Sequence, residues 1–328
     1  MTRTRKTVAI LGSSGFLGSW LAALFLNDGW DVNGSSRRSL VLRSAGAEVD
    51  EDDASTLRHR KLDLSRPESV ALACEGADLV IVVVADRTSG TWRVTNKDQA
   101  RKTIVQIPVT VAEIASRAES PFDVLFAASI SQSIGSTDRG DYQDLKLEGE
   151  DVLLNAAQSS GFNGSSLRLS TVYGPSRSGT GQDRGLVSSL IRQAMSSSDL
   201  PLWNDGTPMR DLIYVKDAAA AFLAAAESAA RLTGEHWDVV SGTRRSVSQI
   251  FDDVARRVAM QTGSRPVDIV RASPPEKQTQ ADSVSIVGDR SRFCDSSGWT
   301  PRWSWESGLE ETITSLLLGQ SDAIKGVL

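Results

Sequence analysis

Residues 7–18 constrain this chain more than any other stretch. Thr7-Val8-Ala9-Ile10-Leu11 is a short β-branched and apolar run, the composition of a strand buried on both faces of a parallel sheet. Gly12-Ser13-Ser14-Gly15-Phe16-Leu17-Gly18 follows at once, and a helix-compatible stretch runs from Trp20 to Leu26. Strand, glycine turn and helix in that order are the context in which backbone amides cradle a dinucleotide pyrophosphate. Gly12 allows the tight turn, Gly15 lets backbone approach phosphate, and Gly18 lets helix and strand pack closely. The helix N-terminus adds amide donors and the positive end of its dipole. Ser14, Phe16 and Leu17 lie inside this turn and are expected beside the cofactor. A plain glycine-rich turn is the bland alternative, and the flanking elements weigh against it.

The rest of the chain repeats the alternation. Asp31–Ser35 and a segment near His59–Leu62 read as strands, and Asp78–Ala85 as the apolar run of a central parallel strand. Lys97–Ala118 reads as a long helix that Pro108 should kink or split. Phe122–Ala128 is another buried strand ending at Ser129, followed by a helix over Asp144–Gln158 and a strand over Ser165–Leu169. This alternation predicts an α/β fold with a Rossmann-type doubly wound parallel sheet. Val84 and Val172 fall near strand ends, where the sheet edge would meet a cofactor.

After Gly174-Pro175 the character changes. Ser176–Arg184 is rich in Gly, Ser and Thr, a loop signature. Leu186–Met195 and Val215–Ser228 read as helices, with short strands near Leu212 and Val239. Ser246 opens a helix whose apolar spacing runs through Val247, Ile250, Phe251, Val254 and Val258. Residues 1–174 are expected to form a dinucleotide-binding domain to which later segments return. Residues 175–328 are expected to form mainly a smaller C-terminal substrate lobe.

The bulk numbers exclude several classes. A chain of 328 residues with net charge −5 has no basic excess for a nucleic-acid surface. No apolar run approaches the ~20 residues of a membrane span. The basic head Arg3-Thr4-Arg5-Lys6 has no signal-peptide core behind it, so a cytoplasmic protein is expected. Two cysteines, Cys74 and Cys294, and two histidines, His59 and His236, offer neither a disulfide framework nor a metal site. Asp50-Glu51-Asp52-Asp53 reads as a solvated loop.

Chemistry enters with Tyr142-Gln143-Asp144-Leu145-Lys146. On a helix, positions i and i+4 share a face, so phenol and ammonium project into one site. A free tyrosine ionises near pH 10, and a neighbouring cation brings it into useful range for acid–base work. The pair is a weak signal alone and a strong one behind the glycine turn. The end of the second strand bears on the cofactor. An acid there would bind the ribose hydroxyls of NAD; here stand Ser36-Arg37-Arg38, two guanidiniums suited to the 2′-phosphate of NADP. A solvent-facing basic loop is the other reading. Asp63, with Leu64 after it, could meet the adenine amino group or cap the helix starting near Pro67.

With these parts in place the chain resembles the extended short-chain dehydrogenase/reductases, a family of nucleotide-sugar epimerases, dehydratases and reductases. The Gly-x-x-Gly-x-x-Gly spacing, Tyr142/Lys146, Leu167-Arg168-Leu169-Ser170-Thr171-Val172-Tyr173-Gly174-Pro175, Arg210-Asp211-Leu212-Ile213-Tyr214-Val215-Lys216-Asp217 and Gly298-Trp299-Thr300-Pro301 carry the resemblance over nearly the whole length. The chain is more narrowly similar to NDP-hexose 4-ketoreductases of antibiotic deoxysugar pathways. The residues concerned are Thr91-Trp92-Arg93, Ala128-Ser129-x-x-Gln132, Leu202-Trp203-x-Asp205-Gly206 and Gln261-Thr262-Gly263-Ser264.

This resemblance implies NADPH-dependent reduction at C4 of a dTDP-4-keto-6-deoxyhexose. Tyr142 would be the proton donor, Lys146 would hold the nicotinamide ribose, and Arg210 would meet the diphosphate. Trp92, Trp203 and Ser131 would line the substrate pocket; for both tryptophans ordinary packing is the alternative, and for Arg210 an ion pair with Asp205 or Asp211. The family's substrate-bonding hydroxyl aligns with Ile130, so Ser129, thirteen residues before Tyr142, is the favoured replacement and Ser131 the second. Ser131-Gln132 stands where 4,6-dehydratases carry Asp-Glu, which argues against dehydration. A nucleotide sugar is the expected partner, with a homodimer left open. A NAD-retaining 4-epimerase and a non-catalytic NADP-binding regulator are the competing readings.

Overall fold

The computed structural model describes residues 5–40, 42–44, 47–48, 56–85, 94–135, 137, 139–177, 183–273 and 282–325. The first half runs β1 (Thr7–Leu11), α1 (Phe16–Asn27), β2 (Asp31–Ser36), β3 (Arg43–Ser44), β4 (Ala47–Glu48), β5 (Leu57–Lys61), α2 (Pro67–Cys74), β6 (Leu79–Val82), α3 (Lys97–Ile104), α4 (Gln106–Arg117) and β7 (Asp123–Ser129). A 3₁₀ turn (Ile130–Ser133), α5 (Asp141–Ser159), β8 (Gly164–Leu169) and β9 (Thr171–Tyr173) follow. The second half runs α6 (Leu186–Met195), β10 (Leu200–Leu202), β11 (Met209–Tyr214), α7 (Val215–Glu227), α8 (Ala229–Leu232), β12 (His236–Val239), β13 (Arg244–Ser246), α9 (Val247–Thr262), β14 (Ile269–Arg271), α10 (Ser291–Ser297) and α11 (Trp305–Lys325).

Seven strands form one parallel sheet in the order β5-β2-β1-β6-β7-β8-β12. This is the Rossmann-type doubly wound α/β arrangement that the alternation predicts. Strand order reverses between β1 and β6, and such a switch opens a crevice at the carboxyl ends of the strands. β6 is shorter than its apolar run. Val83 still donates its N–H to Leu11 O at 3.0 Å, and then Val83, Val84 and Ala85 leave the ladder to border the crevice.

Each sheet face has its own apolar core. On one, Leu21 and Phe25 of α1 meet Phe222 of α7 and Trp237 of β12. On the other, Val70 of α2, Val111 of α4 and Leu153 of α5 share one core with Phe126 of β7. The expected strand near Val239 is β12, the seventh strand of the sheet, so the chain returns there after leaving it. The strand near Leu212 is β11, paired with β9 in parallel and β13 in antiparallel. With β10 and β14 it underlies α6, α9 and α11, around Leu190, Leu212, Ile250, Phe251 and Ile313. No helix among the described residues is long and apolar enough to cross a membrane.

The stretch 97–118 is two helices with a break at Val105. Pro108 has no N–H to give Ile104 and its ring crowds that carbonyl, so the break falls about one turn before the proline. α5 passes over this point at Gly149. A Cβ there would stand 2.8 Å from Ile104 O and 3.1 Å from Pro108 Cγ. Gly149→Ala therefore forces α5 off α4, and we expect a loss of about 1–3 kcal/mol. Urea unfolding checks this by a lower midpoint at unchanged slope.

Candidate active site

The carboxyl ends of β1, β2, β6 and β7, with the segment joining β8 to β9, border a cleft of about 1280 Å³ that continues to α6 and β10. Its floor is the glycine turn. Gly12 has φ +103°, and a Cβ at Gly12 would lie 3.1 Å from Val83 O. A Cβ at Gly18 would lie 2.2 Å from Gly12 O, so only glycine lets α1 sit this close to β1. α1 begins at Gly15 with no side-chain cap and no acid in its first turn. Its first amides and the positive dipole end are thus left for an outside anion, which fits a dinucleotide diphosphate. Ser14, Phe16, Leu17, Leu64, Val84 and Val172 all line the cleft.

At the end of β2, Ser36 Oγ donates to Arg38 O at 2.8 Å and lies 2.9 Å from His59 Nε2. The hydroxyl has one proton, so the imidazole nitrogen is the donor to it. These bonds hold the turn from which Arg37 and Arg38 reach the cleft rim, both exposed. Asp63 Oδ1 accepts from Ser65 Oγ at 2.8 Å and Ser65 N at 3.2 Å. Those bonds, with Arg66 and Arg37 nearby, hold its carboxyl below the usual range. The expected cap on the helix near Pro67 is absent, because the N-cap of α2 is Arg66 and no side chain bonds there. Asp63 closes a local turn with Ser65 instead.

Across the cleft, β7 ends at Ser129 and the 3₁₀ turn begins. Ser129 N donates to Gln132 Oε1 at 2.7 Å, and Ser131 N donates to Ser129 Oγ at 3.3 Å. The two hydroxyls, Ser129 Oγ and Ser131 Oγ, are 2.8 Å apart and both residues line the cleft. Ile130 between them is 3% exposed and reaches Gly288, where a Cβ would stand 2.8 Å from its Cδ1. Gln132 caps the strand end through Oε1, while its Nε2 is buried without a partner among the described residues.

α5 starts at Asp141, three residues earlier than its apolar pattern suggests, and this brings Tyr142 into its first turn. Tyr142 and Lys146 line the same cleft as Ser129. Lys146 Nζ donates to Ala127 O at 2.8 Å and sits 4.5 Å from the centre of the Phe126 ring. Burial pulls its ammonium down to about 8, against the opposing pull of Glu150.

The far end of the cleft is built by β10, β11 and α6. Arg210 lines it and is already engaged: Nη1 donates to Met209 O at 3.0 Å and Val284 O at 2.6 Å, and Nη2 to Asp282 O at 3.1 Å. Asp205 is turned to Thr207, and Asp211 accepts from Ser241 N and Gly242 N at 2.8 Å each. Trp203, 43% exposed, lines this end too. Trp92 and Asp50–Asp53 lie outside the described residues. Sequence reading missed Asp183, Arg184, Gln193 and Asn204 here. Asp183 accepts from Gly185 N at 2.7 Å and from Ser188 Oγ, fastening the start of α6. An acid just ahead of an apolar helical pattern was the available signal.

The chain matches the NAD dependent epimerase/dehydratase family over residues 8–239. It belongs to that family. It is 24% identical over 330 residues to dTDP-6-deoxy-L-talose 4-dehydrogenase (NAD(P)(+)) of Kitasatospora kifunensis, covering 96% of each chain. It is 30% identical over 178 residues to dTDP-L-rhamnose 4-epimerase of Burkholderia thailandensis, covering 53% of this chain and 45% of that protein. Among solved structures, the Bordetella bronchiseptica enzyme WbmF in complex with NADH superposes with TM-score 0.77 at 18% identity, over 98% of this chain and 94% of that one. At such identity the likeness shows the fold.

Lys146 gives a test with a definite sign. Its pKa is about 8 folded against an ordinary 10.5, so the buried charge costs stability below pH 8, and that cost disappears as pH rises from 8 to 10.5. Lys146→Met abolishes it. The stability gap between variant and wild type should shrink by up to about 3 kcal/mol across that window, measured by urea unfolding at stepped pH.

Proposed function

We propose that this protein reduces the C4 keto group of a dTDP-4-keto-6-deoxyhexose with NADPH. The observation that carries the reading is that Ser129, Tyr142 and Lys146 all line the cleft whose floor is the glycine turn, with α5 packed against β7 and the 3₁₀ turn. A reduced nicotinamide held there supplies a hydride to the carbonyl carbon. Negative charge then grows on the carbonyl oxygen, and Tyr142 protonates it while Ser129 donates a hydrogen bond. Ser131, 2.8 Å from Ser129, donates to the Ser129 hydroxyl as that proton turns to the substrate. Lys146 holds the nicotinamide ribose and keeps the phenol acidic.

Arg37 and Arg38 take the 2′-phosphate, with Asp63 on the same rim for the adenine amino group. Trp203 and Arg210 face the sugar nucleotide. The name of the Kitasatospora relative, a dTDP-sugar 4-dehydrogenase, describes the reverse of this reaction on a related sugar. The name of the Burkholderia relative favours a 4-epimerase, which would keep its nicotinamide and consume none. Two guanidiniums where an acid would hold NAD count against that reading.

NADPH absorbance with freshly made dTDP-4-keto-6-deoxyglucose decides between them. Substrate-dependent loss, much slower with NADH, supports the ketoreductase; interconversion of dTDP-sugars at C4 without NADPH loss would establish the epimerase. Tyr142→Phe should lower kcat roughly a hundred- to ten-thousand-fold with little change in NADPH affinity. Arg37→Ala should weaken NADPH about tenfold or more and leave NADH nearly unaffected, by fluorescence titration.

A further inference from the structure

Behind the serine turn lies a buried charge pair that the reaction above does not use. Tyr142, Lys146 and Glu150 recur every four residues on α5 and share one face of it. Glu150 is 0% exposed and accepts from Ser166 Oγ and from Arg168, through Nε at 3.0 and 3.1 Å and through Nη2. Arg168 Nη1 donates in the other direction, to Ser133 Oγ at 3.0 Å. Ser133 is the last residue of the turn that carries Ser131. One guanidinium therefore joins the helix of Tyr142 and Lys146 to the turn that follows Ser129. Apolar replacements of buried ion pairs are often as stable or more so, and stability alone does not account for this one.

The charges around Lys146 single out Glu150. β7 offers it the Ala127 carbonyl and the Phe126 ring. On α3, Lys97 and Arg101 pair outward with Asp141 and Glu148, and Lys102 is exposed. On α4, Glu113 and Arg117 are exposed, as is Asp151 on α5. From β8, Arg168 faces Glu150, and Asp238 of β12 stands in register with Arg168. Glu150 is the carboxylate whose field opposes the cost of burying Lys146.

We propose that Glu150 and Arg168 are positioning residues, Glu150 keeping Lys146 charged in its dry site and Arg168 holding the Ser129–Ser133 turn against α5. The proposal rests on the roles given above to Ser129, Tyr142 and Lys146. Removing the Glu150 charge lowers the pH at which Lys146 loses its proton. Cofactor affinity that depends on the ammonium should then fail earlier as pH rises.

The test titrates NADPH by fluorescence from about pH 6.5 to about pH 10 on the full chain, wild type and Glu150→Gln, a range that brackets the Lys146 transition at about 8. The alkaline loss of affinity should begin about one unit lower in the variant, and superimposable curves would overturn the role of Glu150. Ser133→Ala cuts only the tie to the turn. Its turnover should fall about tenfold or more while NADPH affinity and its alkaline limb stay as in wild type. Unchanged turnover would overturn the role of Arg168, and it decides alone if Glu150→Gln does not fold. Tyr142→Phe and Lys146→Met run alongside. If both keep wild-type turnover, the reading of the site is what fails; if they lose it while Glu150→Gln keeps the wild-type alkaline limb and Ser133→Ala keeps its turnover, the positioning roles fail.

Discussion

Two close approaches hold the cofactor end of this molecule together: Gly18 against the carbonyl of Gly12, and Gly12 against the backbone of Val83. Neither leaves room for a side chain. The first presses α1 onto the end of β1, so the helix axis points its uncapped amides over the sheet edge. The second sits where β1 and β6 part company, the place where the strand order reverses. Move either contact by an ångström and the crevice, the anion site and the path to the serine turn all shift together, because each is built on those two strand ends.

The opposite wall works by a different device. There the backbone is polar and crowded, with a strand end capped by Gln132, two hydroxyls hydrogen-bonded to each other, and a lysine that is almost wholly buried. A buried ammonium is tolerated because a carbonyl, an aromatic face and a carboxylate one helical turn away share its field. The site thus pairs a neutral, glycine-built floor with a charge-dense wall.

How much of this could be read in advance follows the range of the forces involved. The glycine turn, the individual strands and the shared face of Tyr142 and Lys146 depend on residues a few positions apart, and the sequence displays them. The break at Val105 lies in the same class, since Pro108 acts on the carbonyl four residues back. The sequence reading leaves Asp63 between the adenine amino group and the helix cap and misses its turn with Ser65, although Asp-x-Ser is a local turn pattern. The partnership of Ser129 with Ser131 was not legible, because it depends on a 3₁₀ turn that periodicity does not reveal. Nor was the engagement of Arg210 with the carbonyls of Asp282 and Val284, more than seventy residues away. Spacing in the chain says nothing about which distant loop a guanidinium will meet.

The path of the chain has a consequence for how such proteins can exchange parts. β9 leaves the main sheet after Ser170 and pairs with β11; the chain then goes back through α7 to β12 at the sheet edge, and out again to β13, which also pairs with β11. A single crossover near residue 174 between two relatives would carry off an edge strand and the helix packed on α1 along with the α6–β10 end of the cleft. Recombination that changes only what lines that end must cut the gene at several places. Small substitutions at positions such as Trp203 or Asn204 change the lining of that end without touching the sheet.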